Sequence, residues 1–490
     1  MPARILWREN FPAEAPIGTR VALQATATER DRQQFHLDFP DWVRGPVGVA
    51  MVYTRDAEHR ESILADLDLT GSSLAVSLMD WRKMPGTAAT AHVEVGFDQG
   101  RPLHITRFQL KSDGAQASGS LDLKPDYSIG HLAVDRYRQG RTDVAMTVDV
   151  DEGGGMRVKA AGPSMDARPF RRSASAGGGA NRPYTDVELK ALDARPPLDI
   201  DFNFERVVAA NGTGREIGAT KGHFLRQGRS WRNVTLETRV GKDDAGHLSV
   251  HYVPDGGAMA LTIVSDDAGA ALQQFDVLDH LRGGKLVVKG HSVPGDPHEV
   301  VDGTLDVRDY QVVEAPVMAR LLSAASFQGF SDFMTGAPIN FSKLEGGFHW
   351  TDTGVSFHDV RTSGAAIGLT MEGDINMRQG TADLQGTIVP FSTFNKLLGA
   401  IPLVGDLLTG GEGQGLLSAT YKVKGPLDDL DVSVNPLAVL APGFLRNLFF
   451  LSPTDDDGKV EKPAPKRKPS KPAAAEPQDG VTASGGEVPR

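Results

Sequence analysis

Few residues in this chain are spaced to do covalent chemistry. His298-Glu299 sets an imidazole beside a carboxylate, but the second histidine one helical turn on, which a zinc site of that type needs, is missing. His349 and His358 flank an expected hairpin turn, two imidazoles without a third ligand, and read as a surface pair. Asp266-Asp267 offers paired carboxylates, yet adjacent acids at a helix start read as capping groups. GTGREIG (212–218) misses the dinucleotide fingerprint by one position and sits in strand-rich sequence, so it reads as a turn. GGEGQG (410–415) reads as a flexible connection rather than a phosphate cradle. Asn211-Gly-Thr and Asn233-Val-Thr match glycosylation sequons at a frequency that chance explains. The GxSxG, Walker A and HExxH patterns do not occur. The expectation is a protein without catalytic residues, metal or cofactor, not an enzyme.

What remains is a pattern of apolar residues, and it belongs to strands. Val144, Met146, Val148 and Val150 alternate with Asp143, Thr147 and Asp149. Ile367, Leu369, Met371, Ile375 and Met377 alternate with Gly368, Thr370, Glu372, Asp374 and Asn376. Period two puts one set on each face of a sheet, one apolar and one wet. Gly, polar, apolar, polar, apolar recurs at Gly119–Leu123, Gly303–Val307, Gly346–Trp350 and Gly373–Met377, so each strand starts in a fixed phase after its turn. The predicted fold is mainly β: a long curved antiparallel meander forming an extended groove, with a few short amphipathic helices toward the C-terminus.

Composition agrees with that class. The chain has 490 residues, 52 Lys and Arg against 63 Asp and Glu, and a formal charge of −11, which argues against a nucleic-acid partner. Glycine, 55 residues, is well above the usual share of about 7%, as many tight turns require. There is no cysteine, hence no disulfide, thiolate metal site or thiol nucleophile. No run of 18 apolar residues predicts a membrane-spanning helix, and the start, with Glu9 and its prolines, does not read as a signal peptide.

Helical signals are sparse. A helix is expected over 267–281, capped by Asp266 and stopped by Gly283-Gly284, with two short ones after Pro316 and Ser326. Apolar stretches at 394–408 and 435–450 follow; Leu397, Leu398, Ile401, Leu403, Phe444, Leu448 and Phe449 are their candidate membrane-surface residues. The expected organisation is a β-rich segment at 1–162, a Gly/Ser/Arg-rich loop and linker at 163–197, a domain with helices at 198–451, and a disordered tail at 452–490. The tail's basic cluster around Lys466-Arg467-Lys468 is balanced by acids and reads as a solvated spacer.

The second half resembles a known family. VSDDAGAALQQFDVLDHLRGGKLVVKG (264–290), the strand–helix–strand block at 302–348, and the segment at 368–449 occur in the order found in the AsmA-like family, most closely in the C-terminal part of its long YhdP-type members. The resemblance spans about residues 190–450; residues 1–162 share only the strand texture. It implies a periplasmic cell-envelope protein of Gram-negative bacteria, associated with the inner membrane through an N-terminal anchor that this chain does not show. It also implies a β-groove carrying phospholipid toward the outer membrane, with acyl chains and the two membrane surfaces as partners. Val144, Met146, Val148, Val150, Phe348, Trp350, Ile367, Leu369, Met371, Ile375 and Met377 are the candidate groove lining. The alternative is an envelope scaffold or assembly factor that takes a partner protein at its sheet edges.

Overall fold

The structure is a computed structural model; it describes residues 3–9, 17–34, 42–76, 81–98, 100–170, 186–210, 215–292, 300–314, 317–319, 321, 338–364, 367–390 and 419–435. Alternating sequence forms strands because a pleated backbone sends successive side chains to opposite faces, so a half-apolar segment satisfies both water and core. Twenty-three of these strands join in one long, curved, open sheet. Each strand of the sheet pairs with the next one in sequence, from Ala3–Glu9 at one edge to Asp431–Asn435 at the other. Every pairing is antiparallel except one: Met156–Asp166 runs parallel to Leu198–Val208, in register from Met156 opposite Leu198 to Asp166 opposite Val208. The segment expected as a linker between the β-rich segment and the following domain therefore returns the chain to the same sheet, and the strands before and after it share one continuous surface. The loop and linker expected at 163–197 begins later, since Gly162–Asp166 still belong to the strand, and it carries the helix Asp186–Asp193; residues 171–185 lie outside the described ones.

One rim of the sheet carries a small three-stranded sheet, Val43–Arg44, Ser73–Val76 and Trp81–Lys83. Leu74 and Trp81 bury themselves there against Val47, Leu69, Ala89 and Ala115. Lys83 is 4% exposed, and its ammonium donates to the carbonyl oxygens of Leu69 (2.8 Å), Ser72 (2.7 Å), Thr70 (3.2 Å) and Met84 (3.3 Å). Burial pulls its pKa below the usual lysine range, with the Asp68 carboxylate opposing. The side chain gathers a turn whose carbonyls are partly paired already: Leu69 O also accepts the Ser72 amide at 3.1 Å, Thr70 O the Gly86 amide at 2.8 Å and Met84 O the Thr87 amide at 3.3 Å. Lys83→Met is expected to cost about 1–3 kcal/mol by withdrawing a buried donor on which the four carbonyls converge. Urea unfolding with hydrogen exchange across 69–84 checks it; an unchanged midpoint with unchanged protection would show that the ammonium is dispensable.

Helix Ala268–Gln274 packs on the same rim, burying Ala271 in the cluster of Val240 and Leu248 and Ala268 in that of Leu281 and Leu286. It is shorter than the expected 267–281. Asp267, not Asp266, caps it by accepting from the Ala270 amide at 3.0 Å, while Asp266 accepts from the His247 amide. Asp276, at φ 62°, takes the chain out of the helix, and Gly283-Gly284 belong to the strand Leu281–Ser292 rather than to a helix stop. Apolar periodicity alone ran the helix through residues that a strand and its lead-in claim. Among the described residues Glu29–Gln34 and Asp186–Asp193 are further short helices, and 168–170, 317–319 and 321 are also helical, the last two within the helix expected after Pro316. The stretches read as further helices at 316–336, 394–408 and 435–450, the membrane-surface candidates Leu397 to Phe449, and the tail lie outside the described residues, apart from 317–319, 321 and 435.

Candidate functional site

Following the strand register residue by residue exposes the site. A first lane starts at Trp7 and passes through Val21, Tyr53, Ile63, Val95, Ile105, Leu121, Leu132, Val148 and Val158, each opposite the next. It crosses the parallel joint to Ile200 and continues through Phe224, Val234, Tyr252, Leu261, Gly290 and Gly303. It ends through Phe348, Phe357, Gly373, Leu384, Val423 and Val432. One position comes from each of the 23 strands, and every one is apolar or glycine. At ~4.8 Å per strand the lane runs roughly 100 Å along the sheet.

A second lane lies two residues away on the same face. It runs from Ile5 through Met51, Val93, Val134, Met146, Phe202, Leu236, Ile263 and Leu305 to Gly346, again without a polar side chain. Two devices keep it in phase. Ile105 and Phe108 are three apart, and Phe357 and Val360 likewise; a β-bulge between each pair restores the face, with Asp359 at φ 52° in the latter.

Both lanes are largely open. From Val21 to Tyr252 no first-lane residue is buried, and Trp7 at the edge is 68% exposed. The core lies instead on one flank, where Leu286, Val307, Leu369, Ile388 and Ala419 form a buried cross-strand row with Tyr310, Phe341 and Ile367. There the Tyr310 phenol, stacked on Phe341 at 5.2 Å and bonded to Thr362 at 2.6 Å, has its pKa pushed up to about 12 by burial.

The expected lining residues divide along this line. All but Met377, which lies in the turn just past the strand Ile367–Asn376, project from the apolar face of their strands. Val144 (2% exposed), Phe348 (5%), Ile367 (1%) and Leu369 (6%) are packed in the core. Met146, Val148, Val150, Met371 and Ile375 are half-buried on the open face; Trp350 (43%) and Met377 (62%) are exposed. Most of the two lanes, from Trp7 to Leu132 and from Ile200 to Leu305, was missed. The alternation there is present, but only register shows that separate strands contribute to one line.

The opposite face is charged. His104 Nδ1 lies 2.8 Å from Asp122 Oδ1, His131 Nδ1 2.7 Å from Asp149 Oδ1, and His223 Nε2 2.9 Å from Asp199 Oδ1. The expected pairing of His349 with His358 does not form: His349 Nδ1 sits 2.6 Å from Asp302 Oδ1 on the neighbouring strand, and His358 lies over Gly347. His92 Nδ1 is 2.8 Å from Asp66, whose hydrogen bond raises the imidazole's pKa against the effect of partial burial. Such exposed cross-strand pairs keep a face wet and add little stability. Shallow depressions on this face, one over Gln24, Asp66, Asp68, His92 and Lys111, are lined by these polar groups.

Among the described residues no group of three or more His, Asp or Glu is placed to hold a metal ion, and no helix is long and apolar enough to cross a membrane. No family model, no curated protein and no solved structure matches the chain.

Proposed function

We propose that this chain is a non-enzymatic lipid-conduit module of the cell envelope, whose apolar lanes carry phospholipid acyl chains between the inner and outer membrane. The observation that supports the reading is the first lane, apolar or glycine on all 23 strands and left half-exposed over most of them. Sheets bury such a face when a second layer exists to cover it. Exposing a 16-carbon chain to water costs roughly 12 kcal/mol at ~0.8 kcal/mol per methylene, and a continuous apolar track removes most of that at every step. The resemblance of residues 190–450 to the AsmA-like family points the same way and supplies the envelope setting.

The test is lipid analysis of the full chain purified from a bacterial host. Phospholipid is expected to co-purify and to exchange with fluorescent phospholipid from vesicles. A chain that emerges lipid-free and takes up none from vesicles would sink the conduit.

A second reading, a scaffold for a partner protein, has one observation in its favour. In the edge strand Ala3–Glu9, Ile5 (64%), Leu6 (64%) and Trp7 (68%) are exposed on both faces, the state in which a strand accepts another strand. A stoichiometric protein partner on a lipid-free chain decides for the scaffold.

A further inference from the structure

We infer that Phe348 shuts the first lane near the C-terminal third of the sheet, so that a two-chain lipid passes this stretch with only one lane available. The inference rests on the conduit reading and adds a specificity-determining residue to it.

Over one stretch the first lane closes while the second beside it stays half-open. On the strands from Ala258–Ser265 to Ile339–Trp350, the first lane closes: Leu261 is 8% exposed, Gly290 is buried and Phe348 is 5% exposed. The second lane beside it stays half-open at Ile263, Val288, Leu305 and Gly346. The closure has a local cause. Gly290 and Gly303 face each other across two strands and present no side chain. The Phe348 ring lies down over Gly303, with Cζ 2.5 Å from where a Cβ would stand, and Val301 Cγ1 lies 2.8 Å from the corresponding point on Gly290. An alanine at either position would displace these groups, so the glycines make the seat on which the ring rests. From the other side Tyr252 reaches across the strand Ala258–Ser265 to hydrogen-bond the Ser292 hydroxyl at 2.7 Å. Leu261, Val301 and Phe348 thus form a small packed cluster of their own, flanked by Tyr252 and Phe357. Upstream, two adjacent lanes about 7 Å apart have room for two acyl chains side by side. At the cluster only the second remains, so single-chain lipids pass more readily than two-chain ones.

The absence of cysteine makes single-cysteine variants of the full chain direct reporters. N-ethylmaleimide is expected to alkylate Leu261→Cys about tenfold more slowly than Leu132→Cys or Leu305→Cys, as closed packing requires. Adding Phe348→Ala is expected to bring the Leu261→Cys rate within about threefold of the others, with Phe348→Leu intermediate and thermal unfolding confirming that both fold. In vesicle transfer, Phe348→Ala is expected to reduce the preference for lysophosphatidylcholine over phosphatidylcholine, a ratio that a merely structural loss leaves unmoved. Alkylation of Leu261→Cys as fast as Leu132→Cys in the native background, or a rate or lipid preference indifferent to both Phe348 substitutions, overturns the proposal. Failure of phosphatidylcholine vesicles to protect Leu132→Cys overturns the conduit itself, even where the Phe348 closure is seen.

Discussion

Leu369→Asp is expected to unfold the C-terminal part of the sheet, whereas Met371→Asp, two residues along the same strand and on the same face, stays folded. Leu369 is 6% exposed between Thr362 and Ile388, inside the buried row. Replacing it removes a core side chain, worth about 2–5 kcal/mol, and leaves a carboxylate with no cation to meet. The total exceeds about 5 kcal/mol, comparable with the whole stability of an ordinary domain. Met371 lies opposite Val360 and is half-buried, so its aspartate reaches water at a cost of about 1 kcal/mol. Urea unfolding followed by circular dichroism separates the two. Equal, large losses in both variants would mean that the Met371 position is sealed, and the open face with it.

The second large effect concerns transport. Met146 and Val148 occupy the two lanes on a single strand, and Thr147 between them faces the other side. A double change, Met146→Asp with Val148→Asp, sets a charge in both lanes at one crossing. An acyl chain displaced past an unpaired carboxylate loses roughly 2–3 kcal/mol of favourable contact. That is about a 30-fold to 150-fold loss of transfer between donor and acceptor vesicles. Each single variant leaves one lane intact and is expected to lose less, and Thr147→Asp is expected to transfer like the unmodified chain. Undiminished transfer by a folded double variant would show that lipid does not travel along these lanes.

Both experiments exploit the separation of one sheet face into a sealed flank and an open middle. That separation has a plain origin. The helix Ala268–Gln274 and the small sheet at Val43–Arg44, Ser73–Val76 and Trp81–Lys83 gather along the rim beside Leu248, Val240 and Ala89, and cover only the side chains near it. Second-lane residues such as Met146, Phe202 and Ile263 pack against these clusters from one side, and no first-lane residue belongs to them. The charged pairs on the opposite face, among them His131 with Asp149 and His223 with Asp199, hold that surface in water and leave the apolar face as the one without a polar partner.

Much of this was legible from composition and spacing. Period-two alternation identified the strands, their antiparallel order and the wet and dry faces, because the pleat ties side-chain direction to sequence parity within each strand. The repeated glycines were misplaced: Gly119, Gly303, Gly346 and Gly373, expected at turns, lie inside the strands Ala115–Leu123, Val301–Val312, Ile339–Trp350 and Ile367–Asn376, where a neighbouring strand or side chain crowds the space a Cβ would fill. Parity carries no information across strands, however, and that is where the lanes exist. Only pairing register lines up Trp7 with Val432 through the intervening strands, and only the bulges at Glu94–Val95 and Phe357–Val360 return odd-spaced residues to the same face. The parallel joint between Met156–Asp166 and Leu198–Val208, which carries both lanes from one half of the chain to the other, depends on a contact between segments far apart in sequence. Burial, too, belongs to the assembled sheet: Leu369 and Met371 look alike as letters, and neighbouring strands and rim elements alone make one a core residue and leave the other open.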